Sequence, residues 1–343
     1  MSQNILILGC DGFIGSNLTE HILKTQDWNI YGMDLGSGRL QEFLQHPRFH
    51  FTQGDITLNE DEVDRLIDRC DVVLPLVAIA TPISYVRHPL RVFELTFEAN
   101  LRIVRRCVAS QKRVVFPSSS EVYGMSTDAA FEEETTPLVV GPINKHRWIY
   151  ACSKQLLDRV IHAYGIEQGL RYTIFRPFNW IGPRQDDVLD PREGSSRVLT
   201  QFIGNILRRQ DLRVVDGGYQ RRCFLYIGDA LDALTTIIEN RDGCADQRIF
   251  NIGNPQNEIS IRDLADLLIA QISTYPGFED VAKQVTWVDV PSKDYYGEGY
   301  QDIPTRTPSI RNAEHYLGWH PKVDLATALR ETLDFCLAQL PPA

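Results

Sequence analysis

Two side chains that could move a proton together lie one helical turn apart. Tyr150 and Lys154 share a face of the amphipathic helix predicted over residues 148–164, because residues i and i+4 of a helix are neighbours. A lysine in that position stabilises a phenolate and lowers the pKa of the tyrosine. Such a tyrosine can take a proton from a hydroxyl group during an oxidation. The spacing predicts this chemistry, although a chance tyrosine and lysine on a helix would look the same.

A run of hydroxyl groups and one carboxylate follows the apolar segment Arg113–Pro117. The run is Ser118, Ser119, Ser120 and Glu121. Open α/β sheets bind their ligands beyond the carboxyl ends of the strands, so these side chains could position a substrate hydroxyl or carboxylate. The carboxylate is unexpected, because a simple oxidation needs no second acid beside the tyrosine. Its alternative is a solvated acid in a turn.

A glycine-rich turn lies near the start of the chain. Gly9, Gly12 and Gly15 have GxxGxxG spacing between an apolar strand at residues 4–8 and a helical pattern at residues 13–24. Glycines let the backbone approach a pyrophosphate, and the helix N-terminus supplies amide donors. The turn therefore predicts a dinucleotide site, and a glycine turn without a ligand is the alternative.

An acidic residue identifies the expected dinucleotide. Asp34 ends the second apolar strand, about 20 residues after the turn, where a carboxylate can bind the adenosine ribose hydroxyls and repel a 2′-phosphate. This favours NAD over NADP. Asp55, after the third strand, is either an adenine contact or a surface turn residue. The predicted cofactor contacts are Gly9, Gly12, Phe13, Ile14, Gly15, Asp34, Asp55, Ile56, Tyr150 and Lys154.

Alternating strands and helices must position these groups. Short apolar runs at residues 4–8, 29–33, 49–53, 71–78, 113–117 and 171–175 alternate with helical patterns, among them residues 90–108. This order predicts an α/β, Rossmann-type, doubly wound parallel sheet. After Asn179 the elements become shorter, and residues 182–196 and 291–308 are typical of loops. We expect an NAD-binding domain over residues 1–179, with later segments returning to it, and a smaller α/β, mainly substrate-binding part over residues 180–343.

Composition excludes several classes of protein. The net charge of −10 argues against binding to nucleic acid or to an anionic membrane surface. No apolar run approaches the ~20 residues that span a bilayer, and the first apolar run is a strand pattern rather than a signal peptide. The seven cysteines are scattered without CxxC spacing, which favours reduced thiols over disulfides or a metal site. We expect a cytoplasmic protein without a metal.

The motifs GCDGFIG, SSSEVYG, YACSK and RPFNWIGPR together resemble the extended short-chain dehydrogenases that act on nucleotide sugars. The resemblance runs from about Asn4 to Leu337. It is closest to the decarboxylase half of the bacterial polymyxin-resistance protein ArnA and to the UDP-apiose/UDP-xylose synthases, with PLVAIATPISY and YYGEGYQDIPTRTPSIRN among the most specific segments. ArnA also carries a formyltransferase domain. We expect no such domain in this protein, so the pathway served stays open.

The resemblance implies NAD-dependent oxidative decarboxylation of UDP-glucuronate to a UDP-4-keto-pentose. Tyr150 and Lys154 match the oxidation pair, and Glu121 and Arg306 match the decarboxylation pair, with Ser120 beside them. The chemistry is consistent, because a C4 ketone lies beta to the C6 carboxylate and eases the loss of carbon dioxide. The implied substrate contacts are Ala80, Tyr85, Ser119, Ser120, Arg147, Asn179, Arg197, Arg213, Arg222, Tyr300 and Arg306.

Some arginine roles stay open at this point. Arg197 and Arg213 are plausible partners for the diphosphate, because guanidinium groups bind phosphates through two donors. Arg221 and Arg222 could bind phosphate or form surface salt bridges. Arg306 lies in a polar segment that is typical of a loop.

Other functions use the same residues. A UDP-xylose synthase would reduce the keto intermediate again. A UDP-apiose/UDP-xylose synthase is less expected, because the plant enzymes have cysteines at the positions of Ala80 and Ser120. A 4-epimerase or 4,6-dehydratase would not need Arg306 for a carboxylate. A non-catalytic NAD-binding regulator usually lacks the tyrosine or the lysine.

The resemblance also implies a homodimer formed through a four-helix bundle. The helix of Tyr150 would take part with an apolar stripe of Ile149, Leu156, Leu157, Val160 and Ile161. The alternative is that this stripe packs within one subunit.

Overall fold

The structure is a computed structural model that describes residues 3–190 and 196–340. Its strands, numbered along the chain, are β1 (Asn4–Leu8), β2 (Asn29–Asp34), β3 (Phe49–Gln53), β4 (Val72–Pro75), β5 (Arg113–Pro117), β6 (Tyr172–Pro177), β7 (Trp180–Ile181), β8 (Leu212–Val215), β9 (Arg221–Cys223), β10 (Leu225–Tyr226), β11 (Arg248–Ile252), β12 (Glu258–Ser260), β13 (Trp287–Val290) and β14 (Thr305–Arg306).

The helices are α1 (Phe13–Thr25), α2 (Glu60–Arg69), α3 (Pro82–Arg87), α4 (Pro89–Phe93), α5 (Ala99–Ala109), α6 (Trp148–Gln168), α7 (Val198–Leu207), α8 (Ile227–Glu239), α9 (Ile261–Ile272), α10 (Val281–Gln284), α11 (Ser292–Tyr296), α12 (Arg311–Leu317) and α13 (Leu325–Ala338).

Seven parallel strands form the main sheet, in the order β11-β6-β5-β4-β1-β2-β3. The position of β1 in the sheet explains why its residues from Ile5 to Leu8 are all apolar. Ile5 and Ile7 face a core that also contains residues of α1 and α8, whereas Leu6 and Leu8 face a core with residues of α2, α5 and α6. Both faces of the strand are buried, as expected for a parallel sheet covered by helices on two sides. The predicted doubly wound Rossmann sheet is confirmed.

A further core lies in the second half of the chain. Apolar residues of α7, α9 and α13 pack together with those of β8. Strand β11 belongs to the main sheet, although it lies 69 positions beyond Asn179, because it pairs with β6 from Arg248 to Ile252. The second half therefore contributes an edge strand of the main sheet.

The structure differs from several sequence-based expectations. The helix predicted over residues 90–108 contains a wider π turn at Glu94–Glu98, where the side-chain amide of the buried Asn100 donates to the carbonyls of Leu95 and Thr96. The loop predicted over residues 291–308 contains α11 and β14. The strand predicted over residues 71–78 ends at Pro75.

The apolar stripe predicted on α6 divides between two environments. Leu157 and Ile161 pack into the core beneath the sheet, so they cannot form an intersubunit surface. Leu156 is 47% exposed, and Ile149 and Val160 are partly buried. The alternative interpretation, in which the stripe packs within one subunit, therefore holds for two of its five residues.

Within the part of the chain that the structure describes, no helix is both long and apolar enough to cross a membrane.

Candidate active site

A cavity of about 450 Å³ lies at the carboxyl ends of the central strands. Its wall includes Gly9 after β1, Leu76 after β4, Ser118 after β5 and Asn179 after β6. The topology thus brings together groups that are far apart in the sequence. The predicted site residues on the wall are Gly9, Gly12, Phe13, Ile14, Gly15, Ala80, Tyr85, Ser119, Ser120, Glu121, Tyr150, Lys154, Asn179, Arg197, Arg213, Arg222, Tyr300 and Arg306.

Four predicted residues are not on this wall. Asp34 accepts a hydrogen bond from the backbone amide of Asp11 at 2.8 Å and thereby braces the glycine turn. Asp55 accepts from the backbone and hydroxyl of Thr57, and Ile56 is buried beside it. The fourth, Arg147, is buried behind the wall.

The glycine turn has the shape of an anion cradle. Gly9 has φ = +89°, a conformation that other residues rarely adopt, and a Cβ atom on Gly15 would lie 2.3 Å from the Gly9 carbonyl oxygen. Gly12 precedes α1 and has no side chain to cap it, so the first amides of the helix are available to a ligand. These residues fit the pyrophosphate of a dinucleotide.

Tyr150 is buried at the cavity wall. Its ring stacks on that of Tyr85, with centroids 4.8 Å apart and planes 6° from parallel. Burial raises the pKa of the Tyr150 phenol, and a hydrogen bond from Ser119 opposes that rise only in part. The predicted lowering of the Tyr150 pKa is therefore wrong for the chain by itself.

Lys154 explains the difference. Its ammonium nitrogen donates to the carbonyl of Pro117 at 2.6 Å and lies 6.0 Å from the centre of the Tyr150 ring. Burial lowers the pKa of Lys154 to about 8, although Asp158 raises it. An ammonium group has three donors, and the hydrogen bond to Pro117 uses one of them. The lysine can therefore serve a ligand in the cavity as well as the strand end.

Glu121 is held between two arginines. One carboxylate oxygen accepts from Arg306 at 2.6 Å, and the other accepts from Arg147. Burial alone would raise the pKa of Glu121, but Arg147, Arg306 and Arg222 outweigh it and lower that pKa to about 2. Glu121 is thus a carboxylate at neutral pH, which makes it a hydrogen-bond acceptor and not a proton donor.

Arg306 does not lie in the solvated loop that its sequence context predicted. It belongs to β14, which pairs with β9 so that Arg306 lies beside Arg222. Arg306 is buried, and its Nε atom has no hydrogen-bond partner among the described residues. A buried donor of this kind is costly unless a ligand or water satisfies it.

The two adjacent arginines of β9 have different environments. Arg221 is partly exposed and forms a salt bridge with Glu258 at 2.8 Å. Arg222 is buried at the cavity wall and pairs with Asp302 at 2.7 Å. The sequence left two alternatives for these arginines, a phosphate contact or a surface salt bridge. Arg221 forms a surface salt bridge. Arg222 also forms a salt bridge, but it lines the cavity and could contact a ligand.

Arg197 and Arg213 lie on another part of the wall. Arg197 precedes α7 and pairs with Asp186 at 2.6 Å. The guanidinium of Arg213 lies 5.8 Å from the ring centre of Tyr295. Both are positioned where an anionic part of a ligand could reach them.

Sequence reasoning missed several residues of the wall. Tyr295 and Tyr296 of α11 line the cavity, as does Asp302. The tyrosine-rich YYGEGY segment was the available signal, but a loop interpretation did not predict which rings face inward. Among the described residues, no group of three or more His, Cys, Asp or Glu side chains could hold a metal ion.

The fold and the glycine turn together define a Rossmann-type protein with a dinucleotide cradle. Residues 5–253 match the NAD dependent epimerase/dehydratase family, and the chain belongs to that family. The expected cofactor, NAD, is the one by which the family is described.

Solved structures agree with this assignment. The PbgP3 protein of Burkholderia pseudomallei is 49% identical, with a TM-score of 0.90 over 99% of this chain and 97% of that one. A UDP-glucose 4-epimerase of Thermotoga maritima, solved with UDP-glucose, is 23% identical, with a TM-score of 0.82 over 98% and 100%. A UDP-glucuronic acid 4-epimerase variant of Bacillus cereus, solved with a fluorinated UDP-glucuronic acid analogue and NAD, is 22% identical, with a TM-score of 0.81 over 98% and 100%. The last two share the fold.

Proposed function

We propose that the protein oxidises UDP-glucuronate at C4 with NAD and then decarboxylates it, giving UDP-4-keto-pentose, carbon dioxide and NADH. The observation that carries this proposal is the buried Glu121–Arg306 pair at the cavity wall. An enzyme that acts only on the hydroxyl of a neutral sugar has no need of a buried arginine for a sugar carboxylate.

The charge balance around Arg306 favours an anionic sugar. Three buried guanidinium groups, those of Arg147, Arg222 and Arg306, are accompanied by two carboxylates, those of Glu121 and Asp302. Three positive and two negative charges leave one positive charge. A single carboxylate on the substrate would neutralise it, and a buried charge is stable only when it is compensated.

Residues for the oxidation lie on the same wall. Tyr150 would take the proton of the C4 hydroxyl, with Ser119 and Ser120 orienting that hydroxyl. NAD, when bound, supplies the hydride acceptor. The glycine turn would hold the pyrophosphate of NAD, and Asp34 would bind the adenosine ribose. Asp55 and Ile56 would lie towards the adenine. Lys154 would donate a hydrogen bond to the other ribose, which would lie next to Tyr150.

The decarboxylation then needs mainly a positive charge next to the substrate carboxylate. In the β-keto acid, the C5–C6 bond breaks, carbon dioxide leaves, and the electron pair passes into the ketone to form an enolate. The Nε and Nη donors of Arg306 would hold the carboxylate until it leaves. A proton delivered to C5 restores the ketone, which balances the proton that was lost from the hydroxyl. Tyr150, which takes the hydroxyl proton in the oxidation, is suited to return that proton to C5.

The remaining wall residues would bind the nucleotide. Arg197 and Arg213 would contact the diphosphate, and Arg222 would stabilise the sugar end of the site through Asp302. The other proposed substrate contacts are Ala80, Tyr85, Asn179 and Tyr300.

A reaction of the purified protein with UDP-glucuronate and NAD tests the proposal. We expect NADH and carbon dioxide in equal amounts, with a keto-pentose nucleotide identified by mass. UDP-xylose with little accumulated NADH would support the alternative in which the ketone is reduced again. Epimerisation without loss of carbon dioxide would contradict the proposal.

A pair of variants tests the part played by Arg306. Arg306→Gln should lower carbon dioxide release at least ~100-fold, because the carboxylate would lose its cation. Arg221→Gln is the matched control: it removes a neighbouring arginine of the same β-ribbon whose salt bridge is with Glu258. Equal losses in the two variants would contradict a specific role for Arg306.

We also propose a homodimer that uses the outer face of α6. The core takes Leu157 and Ile161, so the proposed face consists of Ile149, Leu156 and Val160.

A further inference from the structure

We propose that Arg147 is a positioning residue: it keeps Glu121 fixed and ionised while Arg306 binds the carboxylate of the substrate. This inference rests on the proposed function. It also replaces the expectation that Arg147 contacts the substrate directly.

Arg147 uses both of its terminal nitrogens within the protein, whereas its buried Nε atom has no hydrogen-bond partner among the described residues. One terminal nitrogen donates to Glu121, and the other donates to the carbonyl of Gln301 at 2.9 Å. Only 2% of the residue is exposed. Its guanidinium lies 4.8 Å from the ring centre of Trp148 and 5.4 Å from that of Tyr300. The flat guanidinium is thus fixed by contacts on both its edge and its faces, as an arginine favours.

These contacts join two parts of the site. Glu121 follows β5, whereas Gln301 and Tyr300 belong to the segment that leads to Arg306. The backbone amide of Arg147 also donates to the carbonyl of Gly299 at 3.3 Å. Arg147, at the start of α6, therefore sets the position of the Glu121 carboxylate relative to the segment that carries Arg306.

The order of charges explains why two arginines are needed. Arg147, Glu121 and Arg306 alternate as positive, negative and positive, and only Glu121 and Arg306 line the cavity. A substrate carboxylate that binds Arg306 would compete with Glu121 for that cation. With Arg147 in place, Glu121 keeps a compensating charge, so the incoming carboxylate need not displace it or leave it unpaired.

The groups facing Glu121 set its titration. Besides Arg147 and Arg306 these are Arg222 from β9, Tyr85 from α3, Tyr150 from α6 and Tyr300 from the preceding segment. Burial raises the pKa of Glu121 and the three arginines lower it, so removal of Arg147 must raise it. This change is measurable without turnover.

Infrared difference spectroscopy of the full chain tests the inference. In Arg147→Gln, we expect a protonated-carboxyl band whose midpoint lies at least about one pH unit above that of the wild-type protein. The band should vanish in Arg147→Gln/Glu121→Gln, which assigns it to Glu121. A midpoint within 0.3 units of wild type, ~0.4 kcal/mol, would overturn the inference.

Lys145→Gln is the matched control. Lys145 lies in the same loop and donates to the carbonyl of Glu298 at 2.9 Å, so it tethers the same segment while Arg147 alone of the two contacts Glu121. The control should leave the Glu121 band unchanged. A shift of equal size in Lys145→Gln would make the effect one of segment tethering and overturn the role of Arg147.

Kinetics separate this inference from the proposed function. Arg147→Lys should lower kcat ~10-fold or more with KM for UDP-glucuronate within about twofold, because a positioning residue acts on the reacting groups and not on binding. A large rise in KM with kcat retained would make Arg147 a substrate ligand instead. If the wild-type protein releases no carbon dioxide, the proposed function fails, and the infrared titration still decides whether Arg147 holds Glu121.

Discussion

At Tyr150 and Lys154, burial acts on two groups of opposite charge type. It raises the pKa of the phenol and lowers that of the ammonium, so each group is shifted towards its neutral form. Asp158, one turn beyond Lys154 on α6, opposes the shift of the lysine.

Tyr150→Phe should lower NADH formation from UDP-glucuronate by ~100- to 10,000-fold, because the hydroxyl proton loses its acceptor. NAD binding, measured by calorimetry, should persist. Tyr164→Phe removes a hydroxyl from the same helix that contacts Arg105, outside the cavity, and is the matched control. Wild-type turnover in Tyr150→Phe would contradict the role of this residue.

The sequence motifs and the family resemblance together predicted most of the wall. The resemblance also named Glu121 and Arg306 as a functional pair, but no local pattern predicted their ion pair. Tyr150 and Lys154 are four residues apart, and a helix brings them to one face. Glu121 and Arg306 are 185 positions apart, and their ion pair depends on the packing of β14 against β9. The family resemblance supplied Arg147 as a substrate contact. The structure places it behind Glu121, a distinction that no local pattern carries.

At the scale of elements, the close passage of α1 past β1 depends on Gly15. A Cβ atom at this position would lie 2.7 Å from Cys10 Cα as well as 2.3 Å from the Gly9 oxygen. Gly15→Ala should therefore weaken NAD binding at least ~10-fold, measured by calorimetry, since the turn must open. Gly36→Ala is the control, because its Cβ would meet its nearest neighbour at 3.8 Å. Unchanged affinity in Gly15→Ala would contradict the cradle.

Another element-scale feature is the segment that covers the edge strand β11. The carboxylate of Glu133 accepts from the backbone amide of Asn251 at 2.7 Å, and the carbonyl of Phe131 accepts from the Asn251 side chain. Phe131 also exchanges backbone hydrogen bonds with Thr307 and Ser309, on either side of Pro308. Glu133 thus helps to attach the segment after Arg306 to the main sheet.

Burial raises the pKa of Glu133 from 4.5 to about 7. Its protonated form stabilises the fold, and this contribution declines as the pH rises from about 4.5 through 7, where the folded protein must ionise a buried acid. Glu133→Gln should therefore become more stable than wild type between about pH 5 and pH 8, by on the order of 1–3 kcal/mol in urea unfolding. Glu134→Gln, an exposed neighbour, should show no such trend. A pH-independent difference would contradict this role.

The elements differ in how well their sequences predict them. Strand β1 is predictable because every residue from Ile5 to Leu8 is apolar and buried. The π turn at Glu94–Glu98 is not, because it depends on the Asn100 amide, which also reaches the carbonyl of Val77 after β4. The helical spacing of apolar residues in a sequence does not distinguish a regular α turn from a wider π turn.

At the scale of the whole molecule, the outer face of α6 is the proposed dimer surface. Leu156→Glu should convert a dimer into a monomer in sedimentation velocity at micromolar concentration, because a buried unpaired carboxylate is costly at an interface. Leu58→Glu is the control, since Leu58 is 81% exposed and lies before α2, away from α6. A wild-type monomer would contradict the homodimer, and a dimeric Leu156→Glu would move the interface elsewhere.

The path of the chain constrains how the protein can be made or recombined. Strand β6 gains its outer neighbour only when Arg248–Ile252 has been synthesised, and the buried Arg113 of β5 donates to the carbonyls of Ile237 and Ile238 in α8. A fragment that ends at Asn179 would leave that guanidinium without these acceptors and one strand edge bare. We therefore expect a fragment that ends at Asn179 not to fold stably by itself. An exchange of substrate specificity between relatives would have to replace internal segments and retain β11, rather than join two halves at a single crossover.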